Sequence, residues 1–529
     1  MRYLLTALCV FLSLSVTTDA QSIARKKLAT AEHIINTFYV DSVDEDKIVE
    51  QAIISMLKTL DPHSAYSNPE ETRELTTPLQ GNFSGIGIQF NMLNDTLYVI
   101  QTVAGGPSEK VGILAGDKII TAGDSILSGV KRKNSSILNI LRGPKGSTID
   151  VDVIRRGEPK PISFRITRDD IPVESVDVAY MADPTTGYIR VTRFAETTPR
   201  EFAEAIYGLR QQGMKNLIID LQDNGGGYLN AAISLAEQFL GRGSTVVSTR
   251  APRLGLQEDY KVKRPGMMQD GRVVVLVNQY SASASEILSG ALQDYDRGAI
   301  VGRRTFGKGL VQRPFPFDDG SMIRLTISKY YTPSGRSIQK PYTKGNSEEY
   351  EHDMVRRYES GELTHADSIH FDSSLRTYTL RNHRPIYGGG GIMPDLFVPV
   401  DTSDYSDYYR DIVAKGTLNR FSINYVDEHR KELKRKYPTE NKYISDFKVT
   451  PEIMKQLQTE AEKDSVKFDS GQYARSEQTI ATVLKGLIGR DLFTQRTYSR
   501  IVNPMNPVYT QGLELINDEK RYNELLKNQ

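Results

Sequence analysis

The sequence has few of the groups on which several common kinds of site depend. It contains one cysteine, Cys9, which lies in an apolar N-terminal stretch. Without that stretch the chain has no cysteine, which excludes disulfides, a thiol nucleophile and a thiolate metal site. The formal net charge is +1, so composition gives no reason to expect nucleic acid or an anionic membrane as a partner.

The N-terminal stretch has the three parts of an export signal. Met1-Arg-Tyr is a short positive start, Leu4 to Val16 is apolar, and Thr18-Asp-Ala20 fits a cleavage site. An uncleaved anchor is the alternative, although the apolar run is short for a membrane span. We therefore expect residues 1–20 to be a signal peptide. We expect export to a periplasm-like compartment, as a soluble or peripherally membrane-associated protein.

The remaining chain is too long for one hydrophobic core and is expected to form four regions. Residues 21–78 carry apolar residues at helical spacing. Residues 79–170 contain short β-rich runs separated by turns, typical of a small β-domain. Residues 171–400 alternate between strand and helix, which predicts a layered α/β core. Residues 401–529 are charged and helix-prone and are expected to form an accessory region.

The α/β region has the clearest secondary-structure signals. Continuous apolar runs predict buried strands, and apolar residues at helical spacing predict the helices between them. The predicted strands are 187–191, 216–221, 273–277 and 299–301, and the predicted helices are 198–211, 228–240 and 283–296.

A serine-rich segment of small residues, Ser281-Ala-Ser-Ala-Ser-Glu-Ile287, follows the third of these strands. It opens a helix whose unpaired N–H groups and positive dipole end would lie at the serines, a suitable place to stabilise an oxyanion. Ser283 is the preferred nucleophile, but chemistry alone does not separate it from Ser281 and Ser285. The alternative is that Ser283 or Ser285 only caps the helix.

Lysine is a better base than histidine for such a serine. The 7 histidines lie far from the serine segment in sequence, and no Gly-x-Ser-x-Gly elbow is present. A Ser-His-Asp triad is therefore poorly supported, although distance along the sequence does not exclude it. Lys308 lies in Gly302-Arg-Arg-Thr-Phe-Gly-Lys308-Gly309 with uncharged neighbours on both sides.

A base near pH 7 needs the lysine pKa to fall by roughly three units from about 10.4. Burial without a carboxylate partner is the expected cause of such a fall. A contact with Asp294 would raise the lysine pKa, so Asp294 is assigned a structural role. The alternative is that Lys308 is a solvated lysine in a turn.

Two glycine segments allow more than one interpretation. Gly302-x-x-x-x-Gly307-Lys308 matches most of a phosphate-binding loop, but Gly309 replaces the hydroxyl that would bind magnesium, so nucleotide binding is not expected. Asp220-Leu-Gln-Asp-Asn-Gly-Gly-Gly227 follows a buried strand. It is either a plain β–α turn, or its Gly226 and Gly227 amides join that of Ala284 as oxyanion donors.

These motifs make the chain resemble the carboxy-terminal processing proteases, also called tail-specific proteases, which are S41-type serine peptidases with a PDZ domain. The resemblance covers about residues 30–400. It depends most on the serine segment, Ala291-Leu-Gln-Asp-Tyr295 and Thr305-Phe-Gly-Lys-Gly309, in order and at the family's spacing. It implies a crotonase/ClpP-like layered α/β core and no metal or cofactor.

The resemblance also implies roles for particular residues. Ser283 becomes the nucleophile, Lys308 its general base and Gln312 the residue that positions the lysine. The family often has Asn-Pro-Gly-Gly where this chain has Asn224-Gly-Gly-Gly227, so the oxyanion donors stay open.

Residues 79–170 become a PDZ domain through the same resemblance. Gly85-Ile86-Gly87-Ile88 is similar to the loop that binds a substrate's terminal carboxylate, and the next strand would pair with the peptide. The alternative is an ordinary glycine-rich start of a strand. Arg142 is expected to contact the protease core when a peptide is bound.

The expected partners are proteins or peptides with free C-termini, and no nucleic acid. Residues 401–529 leave an adaptor protein and a homo-oligomer open. Two other functions are weighed: a non-catalytic PDZ scaffold, which would need an absent catalytic residue, and an amidase or esterase that uses a distant histidine.

Overall fold

The computed structural model describes residues 23–93, 95–370 and 372–527. The predicted signal peptide, residues 1–20, lies outside them. The described chain divides into two compact units: the first comprises residues 23–69 together with 312–326 and 342–350, and the second comprises the described residues of 70–311, 327–341 and 351–527. In the described part of the chain, no helix is both long and apolar enough to cross a membrane.

The first unit begins with two helices, as predicted for this region. The second of them starts where the Asp44 carboxylate accepts from the Lys47 N–H at 3.2 Å, an N-cap that satisfies one orphan amide. The short strand that follows pairs antiparallel with residues Met322–Arg324. The elements up to the start of the β-domain are α1 (Ile23–Phe38), α2 (Glu45–Lys58), β1 (Ala65–Ser67) and α3 (Pro69–Gln80).

The β-rich region consists of a six-stranded sheet, two helices and a further pair of strands. The strand order is β3-β4-β5-β7-β8, with β6 beside β5, so β3 lies at an edge. A separate pair, β2 and β9, joins the two ends of the domain from Asn82↔Pro172 to Gly85↔Asp169. The elements are β2 (Asn82–Gly85), β3 (Ile88–Leu93), β4 (Thr96–Thr102), α4 (Pro107–Val111), β5 (Lys118–Ala122), β6 (Ser125–Ile126), α5 (Asn134–Leu141), β7 (Thr148–Ile154), β8 (Ile162–Thr167) and β9 (Asp169–Pro172).

The α/β region contains all of the predicted strands and helices and several further strands. Its elements are β10 (Val176–Met181), β11 (Thr186–Val191), α6 (Thr198–Gln211), β12 (Asn216–Asp220), α7 (Leu229–Glu237), β13 (Thr245–Ala251), β14 (Leu256–Lys261), β15 (Val273–Val277), α8 (Ala284–Asp294), β16 (Ala299–Gly302), β17 (Leu310–Pro316), β18 (Met322–Tyr331), α9 (Ser347–Glu351), α10 (Asp353–Glu359), β19 (Arg376–Tyr378), β20 (Pro385–Tyr387) and β21 (Leu396–Phe397).

A six-stranded sheet is the centre of this region, in the order β10-β11-β12-β15-β16-β21. All neighbours pair in parallel except β10 and β11. Every residue of β12 and β15 is buried, because a parallel sheet is covered on both faces. β15 is apolar throughout, whereas β12 also buries the polar Asn216 and Asp220 at its ends.

The C-terminal region is helical, as predicted, and most of it packs around its own apolar cluster, which includes Tyr408, Tyr443 and Leu484. The helices are α11 (Asp407–Ala414), α12 (Thr417–Lys436), α13 (Glu440–Asp446), α14 (Pro451–Lys463), α15 (Ser470–Leu492), α16 (Gln495–Val502), α17 (Pro507–Asn517) and α18 (Glu519–Leu525).

Helices cover both faces of the central sheet. Residues of α6, α7 and α8 pack on one face, against the inward side chains of β11, β12, β15 and β16. The last two helices, α17 and α18, pack on the other face through Val508, Leu515 and Tyr522. The Tyr522 hydroxyl also donates to the carbonyl of Val273 at 2.9 Å. The layered α/β core is thereby confirmed, with one of its layers built from the end of the chain.

Candidate active site

The predicted nucleophile segment lies at the end of the buried strand β15. The chain turns there into α8, a helix whose residues are all buried. Ser283 occupies the N-cap position with φ 57° and ψ −112°, a conformation that residues other than glycine rarely adopt. Such strain costs of order 1–3 kcal/mol and concentrates at functional sites, because the surrounding structure must enforce it.

The environment of the three serines differs sharply. The Ser281 hydroxyl donates to the Leu221 carbonyl at 2.7 Å, and the Ser285 hydroxyl donates to the Asn224 carbonyl at 2.8 Å. Both side chains are fully buried. Ser283 is only half-buried. Among the three, Ser283 is therefore the serine that a substrate can approach.

The predicted base lies in a turn after β16. Lys308 is half-buried, and the glycine before it has φ 89°, in the left-handed region. Backbone bonds hold the turn: the Phe306 N–H donates to the Ser281 carbonyl at 3.0 Å, and the Lys340 N–H donates to the Gly307 carbonyl at 2.9 Å. Ser283 and Lys308 belong to the same compact unit.

Glu286, which the sequence reasoning left without a role, lies between the two segments. One of its oxygens, Oε2, accepts from the Ser283 N–H at 2.8 Å and from the Lys308 N–H at 2.9 Å. The other, Oε1, accepts from the Thr305 hydroxyl at 2.5 Å and from the Gly307 N–H at 2.7 Å. Burial raises the pKa of the Glu286 carboxyl, while these four donors favour its ionised form.

Tyr330, on β18, contacts the same two residues from their carbonyl side. Its hydroxyl lies 2.7 Å from the Lys308 carbonyl and 3.2 Å from the Ser283 carbonyl. The side chain is 1% exposed. Its strand position is fixed by antiparallel pairing with Thr249 of β13. The sequence alone assigns no role to Tyr330.

The glycine segment approaches the serine closely. A Cβ on Gly226 would lie 2.7 Å from the Ser283 Cβ, so a larger residue would displace the serine. The Gly226 N–H donates to the Asn224 Oδ1 at 2.9 Å, which leaves it unavailable for an oxyanion. The amides of Gly227 and Ala284 donate to no acceptor among residues 23–93, 95–370 and 372–527. These two amides are therefore available as oxyanion donors.

Gln312 lies in the first unit. Its side-chain Nε2 donates to the carbonyl of His63, in a loop where the His63 ring contacts the Tyr350 hydroxyl at 2.8 Å. With the nitrogen given to a carbonyl, Oε1 is the atom of the Gln312 amide that would accept from an amine.

Asp294 lies in a buried ion pair, which agrees with the structural role expected for it. One carboxylate oxygen lies 2.8 Å from the Arg336 guanidinium, in an ion pair whose side chains are 0% and 2% exposed. The other oxygen accepts from the Ser334 N–H at 2.9 Å. Throughout the described ranges, no cluster of three or more histidine, cysteine, aspartate or glutamate side chains is arranged to hold a metal ion.

The predicted carboxylate-binding loop lies between β2 and the edge strand β3. Gly87 has φ 73°, and the Ile86 carbonyl accepts from the Ser108 N–H at 3.0 Å and the Ser108 hydroxyl at 2.6 Å. The amides of Ile86 and Gly87 find no acceptor within the part of the chain that the structure describes. Two adjacent open amides beside a free strand edge suit a peptide's terminal carboxylate.

Arg142 follows α5, next to this loop. Its guanidinium carbon lies 4.6 Å from the centre of the Phe83 ring, and a Cβ on Gly85 would lie 3.0 Å from the same ring. Burial lowers the pKa of Arg142, and its buried Nε has no hydrogen-bond partner among the described residues. Phe83 thus contacts both the glycine loop and the partly buried Arg142.

Comparisons with known proteins match four segments of the chain. Residues 185–348 match the model of peptidase family S41, and residues 84–166 match the PDZ domain. Residues 13–72 match the activating protease CtpB N-terminal domain, and residues 408–494 match a family of unknown function.

Curated relatives match over a longer stretch. A carboxy-terminal-processing protease of Bartonella bacilliformis is 36% identical over 342 residues, which is 63% of this chain and 78% of that protein. Carboxy-terminal processing protease CtpB of Bacillus subtilis is 35% identical over 326 residues, 60% of this chain and 66% of that protein. A solved photosystem II D1 C-terminal processing protease is 28% identical, with a TM-score of 0.33, and the match covers 59% of this chain and 89% of that one.

Proposed function

The chain belongs to the carboxy-terminal-processing protease family, peptidase family S41, and we propose that it uses Ser283 and Lys308 to cleave proteins selected by their C-terminal residues. It is a serine-type peptidase with a PDZ domain. The observation that carries the proposal is the arrangement of Ser283, a strained and approachable serine at a helix N-terminus whose backbone shares Glu286 and Tyr330 with Lys308.

In the proposed mechanism, neutral Lys308 removes the proton from the Ser283 hydroxyl. The serine oxygen attacks the peptide carbonyl, and the resulting ammonium then gives its proton to the leaving amine. Water hydrolyses the acyl-enzyme with Lys308 again as the base. The lysine must be uncharged at the start of each cycle, so its pKa has to lie well below the usual value of about 10.4.

The proposed oxyanion donors are the amides of Gly227 and Ala284, because both are without an acceptor in the described structure. Ala284 is the first residue of α8, so the positive end of the helix adds to the field at the oxygen. Gly226 is proposed to act differently: its lack of a side chain makes room for Ser283.

Gln312 is proposed to position the lysine. The proposal comes from the family resemblance and from its place four residues after Lys308. A neutral amide would hold the lysine amine without raising its pKa as a carboxylate would.

The PDZ domain is proposed to bind the free C-terminus of the substrate at Gly85, Ile86, Gly87 and Ile88. The open amides of Ile86 and Gly87 would receive the carboxylate, and the edge of β3 would add the peptide as another strand.

This proposal is tested with an unfolded protein substrate that ends in an apolar residue. A C-terminal amide removes the charge that the loop would bind but keeps an oxygen that accepts hydrogen bonds, so each of the two open amides would lose about 1–1.5 kcal/mol, the difference between a bond to a charged and to a neutral acceptor. We therefore expect kcat/KM to fall by roughly 10- to 100-fold for the amidated substrate. An N-terminally acetylated substrate is the control and should be cleaved at the original rate. Equal kcat/KM for the free and amidated C-termini would contradict C-terminal recognition while leaving the catalytic proposal intact.

We propose that Arg142, through its contact with Phe83, couples peptide binding at the PDZ loop to the activity of the protease core. Arg142→Ala should reduce the stimulation of turnover by a PDZ-binding peptide about tenfold, within the usual range for coupling between two sites. Peptide affinity, measured by fluorescence anisotropy, should stay within a few-fold. Arg165→Ala, on an exposed arginine paired with Asp150 in the same domain, is the control. Unchanged stimulation in Arg142→Ala would rule out this role.

We also propose that the protein acts after export, in a periplasm-like compartment. The proposal rests on the signal-peptide pattern of residues 1–20, which lies outside the described residues. Fractionation of cells that produce the full chain, with N-terminal sequencing of the recovered protein, tests both export and the cleavage point.

A further inference from the structure

We propose that Glu286 and Tyr330 are positioning residues that together hold the main chains of Ser283 and Lys308 in register for proton transfer. The proposal builds on the Ser283–Lys308 dyad proposed above. Neither residue would touch the substrate or the transferred proton. Their role would be to set the distance over which the lysine reaches the serine.

We call Glu286, Tyr330 and their hydrogen bonds to the two main chains the brace. Its hydrogen-bond acceptor is a single oxygen atom. Glu286 Oε2 accepts the N–H of Ser283 and the N–H of Lys308, so the two residues share one bonding partner. The bond to Ser283 alone is what a capping box provides, with a glutamate three residues into the helix. A capping box does not explain the other three donors, which come from Thr305, Gly307 and Lys308.

The donor half is the Tyr330 hydroxyl, which lies between the carbonyls of the same two residues. A tyrosine buried only for packing needs one partner for its hydroxyl. Here the partners are the two proposed catalytic residues, which Tyr330 contacts at their carbonyls and Glu286 at their N–H groups. Glu286 Oε2 thus accepts the N–H of each residue, and the single Tyr330 O–H lies between their carbonyls, closer to that of Lys308.

These hydrogen bonds fix the spacing between Ser283 and Lys308, which the chain between them does not set. Ser283 and Lys308 are separated in sequence by all of α8 and β16, and no covalent link sets their spacing. Ser283 is also held at a positive φ, from which it would relax if its N–H were released. Since a misplacement of about 1 Å can cost roughly 100-fold in rate, the brace determines whether the dyad works.

The test uses Glu286→Gln and Tyr330→Phe in the full chain. Glutamine has the size of glutamate, but half of its head group is an N–H donor that would face other donors. We expect kcat to fall about 100-fold in Glu286→Gln and about tenfold in Tyr330→Phe, which loses one hydrogen-bonding group. KM should stay within twofold for both, because neither residue binds substrate.

A second readout is the rate at which an alkyl fluorophosphonate modifies Ser283, followed by intact mass. This reaction needs an activated serine but no peptide, so it should slow in step with kcat. Glu204→Gln, on an exposed glutamate of α6, and Tyr331→Phe, beside Tyr330 on β18, are the matched controls. Both should react at the wild-type rate.

The outcomes separate the brace from the dyad. Wild-type kcat in a folded Glu286→Gln or Tyr330→Phe protein, with Ser283→Ala inactive, would overturn the brace and leave the dyad standing. An active Lys308→Ala protein would instead remove the dyad, and with it the brace. Should Glu286→Gln fail to fold, Tyr330→Phe decides, because it deletes one oxygen and keeps the buried ring.

Discussion

Replacing Ser283 with alanine is expected to lower kcat by roughly four orders of magnitude or more, the usual loss when a protease nucleophile is removed. Ser283 sits at the N-cap of α8, whereas the neighbouring Ser281 and Ser285 hydroxyls each donate to a backbone carbonyl. The variant should fold, because the loss of an N-cap hydroxyl lowers the free energy of unfolding by only about 1 kcal/mol. Release of fluorescent peptides from an unfolded substrate measures the loss, and thermal unfolding checks the fold.

Ser281→Ala and Ser285→Ala are the controls for this result. Each removes a buried hydroxyl that donates to a carbonyl, so each should lower the free energy of unfolding by about 1 kcal/mol. Their kcat should remain within a few-fold of wild type. A Ser283→Ala protein that still turns over, or an inactive but folded Ser281→Ala or Ser285→Ala protein, would assign the nucleophile elsewhere.

Replacing Lys308 with alanine is expected to reduce kcat by a similar factor, because no other base is proposed for the serine. Lys308→Arg should be equally inactive, since an arginine stays protonated at every pH at which the enzyme folds. This second variant keeps the positive charge and most of the volume, so it separates the loss of a base from the loss of packing. Lys261→Ala, on the exposed strand β14, is the control and should be unaffected.

The pH dependence follows from the same requirement. Only the neutral lysine accepts the serine proton, so kcat/KM of the wild type should rise with pH until the lysine is deprotonated, and then level off. For activity near neutrality the midpoint should lie near pH 7, about three units below the ordinary lysine pKa. A midpoint near 10 would mean that Lys308 is an ordinary solvated lysine.

Most of the central sheet could be predicted from the sequence. The runs predicted at 216–221, 273–277 and 299–301 correspond to β12, β15 and β16 in the structure. Burial on both faces of a parallel sheet explains why 273–277 and 299–301 are apolar throughout and why the middle of 216–221 is. The helix at 198–211 has the predicted bounds. By contrast, β14 is almost entirely exposed, so its polar sequence lacks the apolar pattern on which strand prediction depends.

The role of the last helices could not be read from local patterns. α17 and α18 have ordinary amphipathic sequences, and nothing in them indicates which surface they cover. Their partners, such as Val273 and Val274, lie far away in the chain. The packing of a chain end onto a distant sheet depends on tertiary contacts that a local window does not contain.

The candidate site, too, could be predicted from the sequence only in part. Residue types and spacing indicated a serine near α8 and a lysine in the turn after β16. Residue types did not separate Ser283 from its neighbours, although the family resemblance selected it; the exposure and the positive φ that distinguish it depend on the folded chain. Glu286 had a signal, because a serine followed three residues later by glutamate is a capping box. Tyr330 had none, because its contacts come from two distant segments.

The measurement that tests the Ser283–Lys308 dyad most directly is the rate of fluorophosphonate modification as a function of pH, with peptide mapping of the product. In the wild type, one adduct is expected on Ser283, with a rate that rises through a midpoint near pH 7. Lys308→Ala should react at least about 1,000-fold more slowly at neutral pH. An adduct on a different residue, or a Lys308→Ala protein that reacts at the wild-type rate, would contradict the dyad.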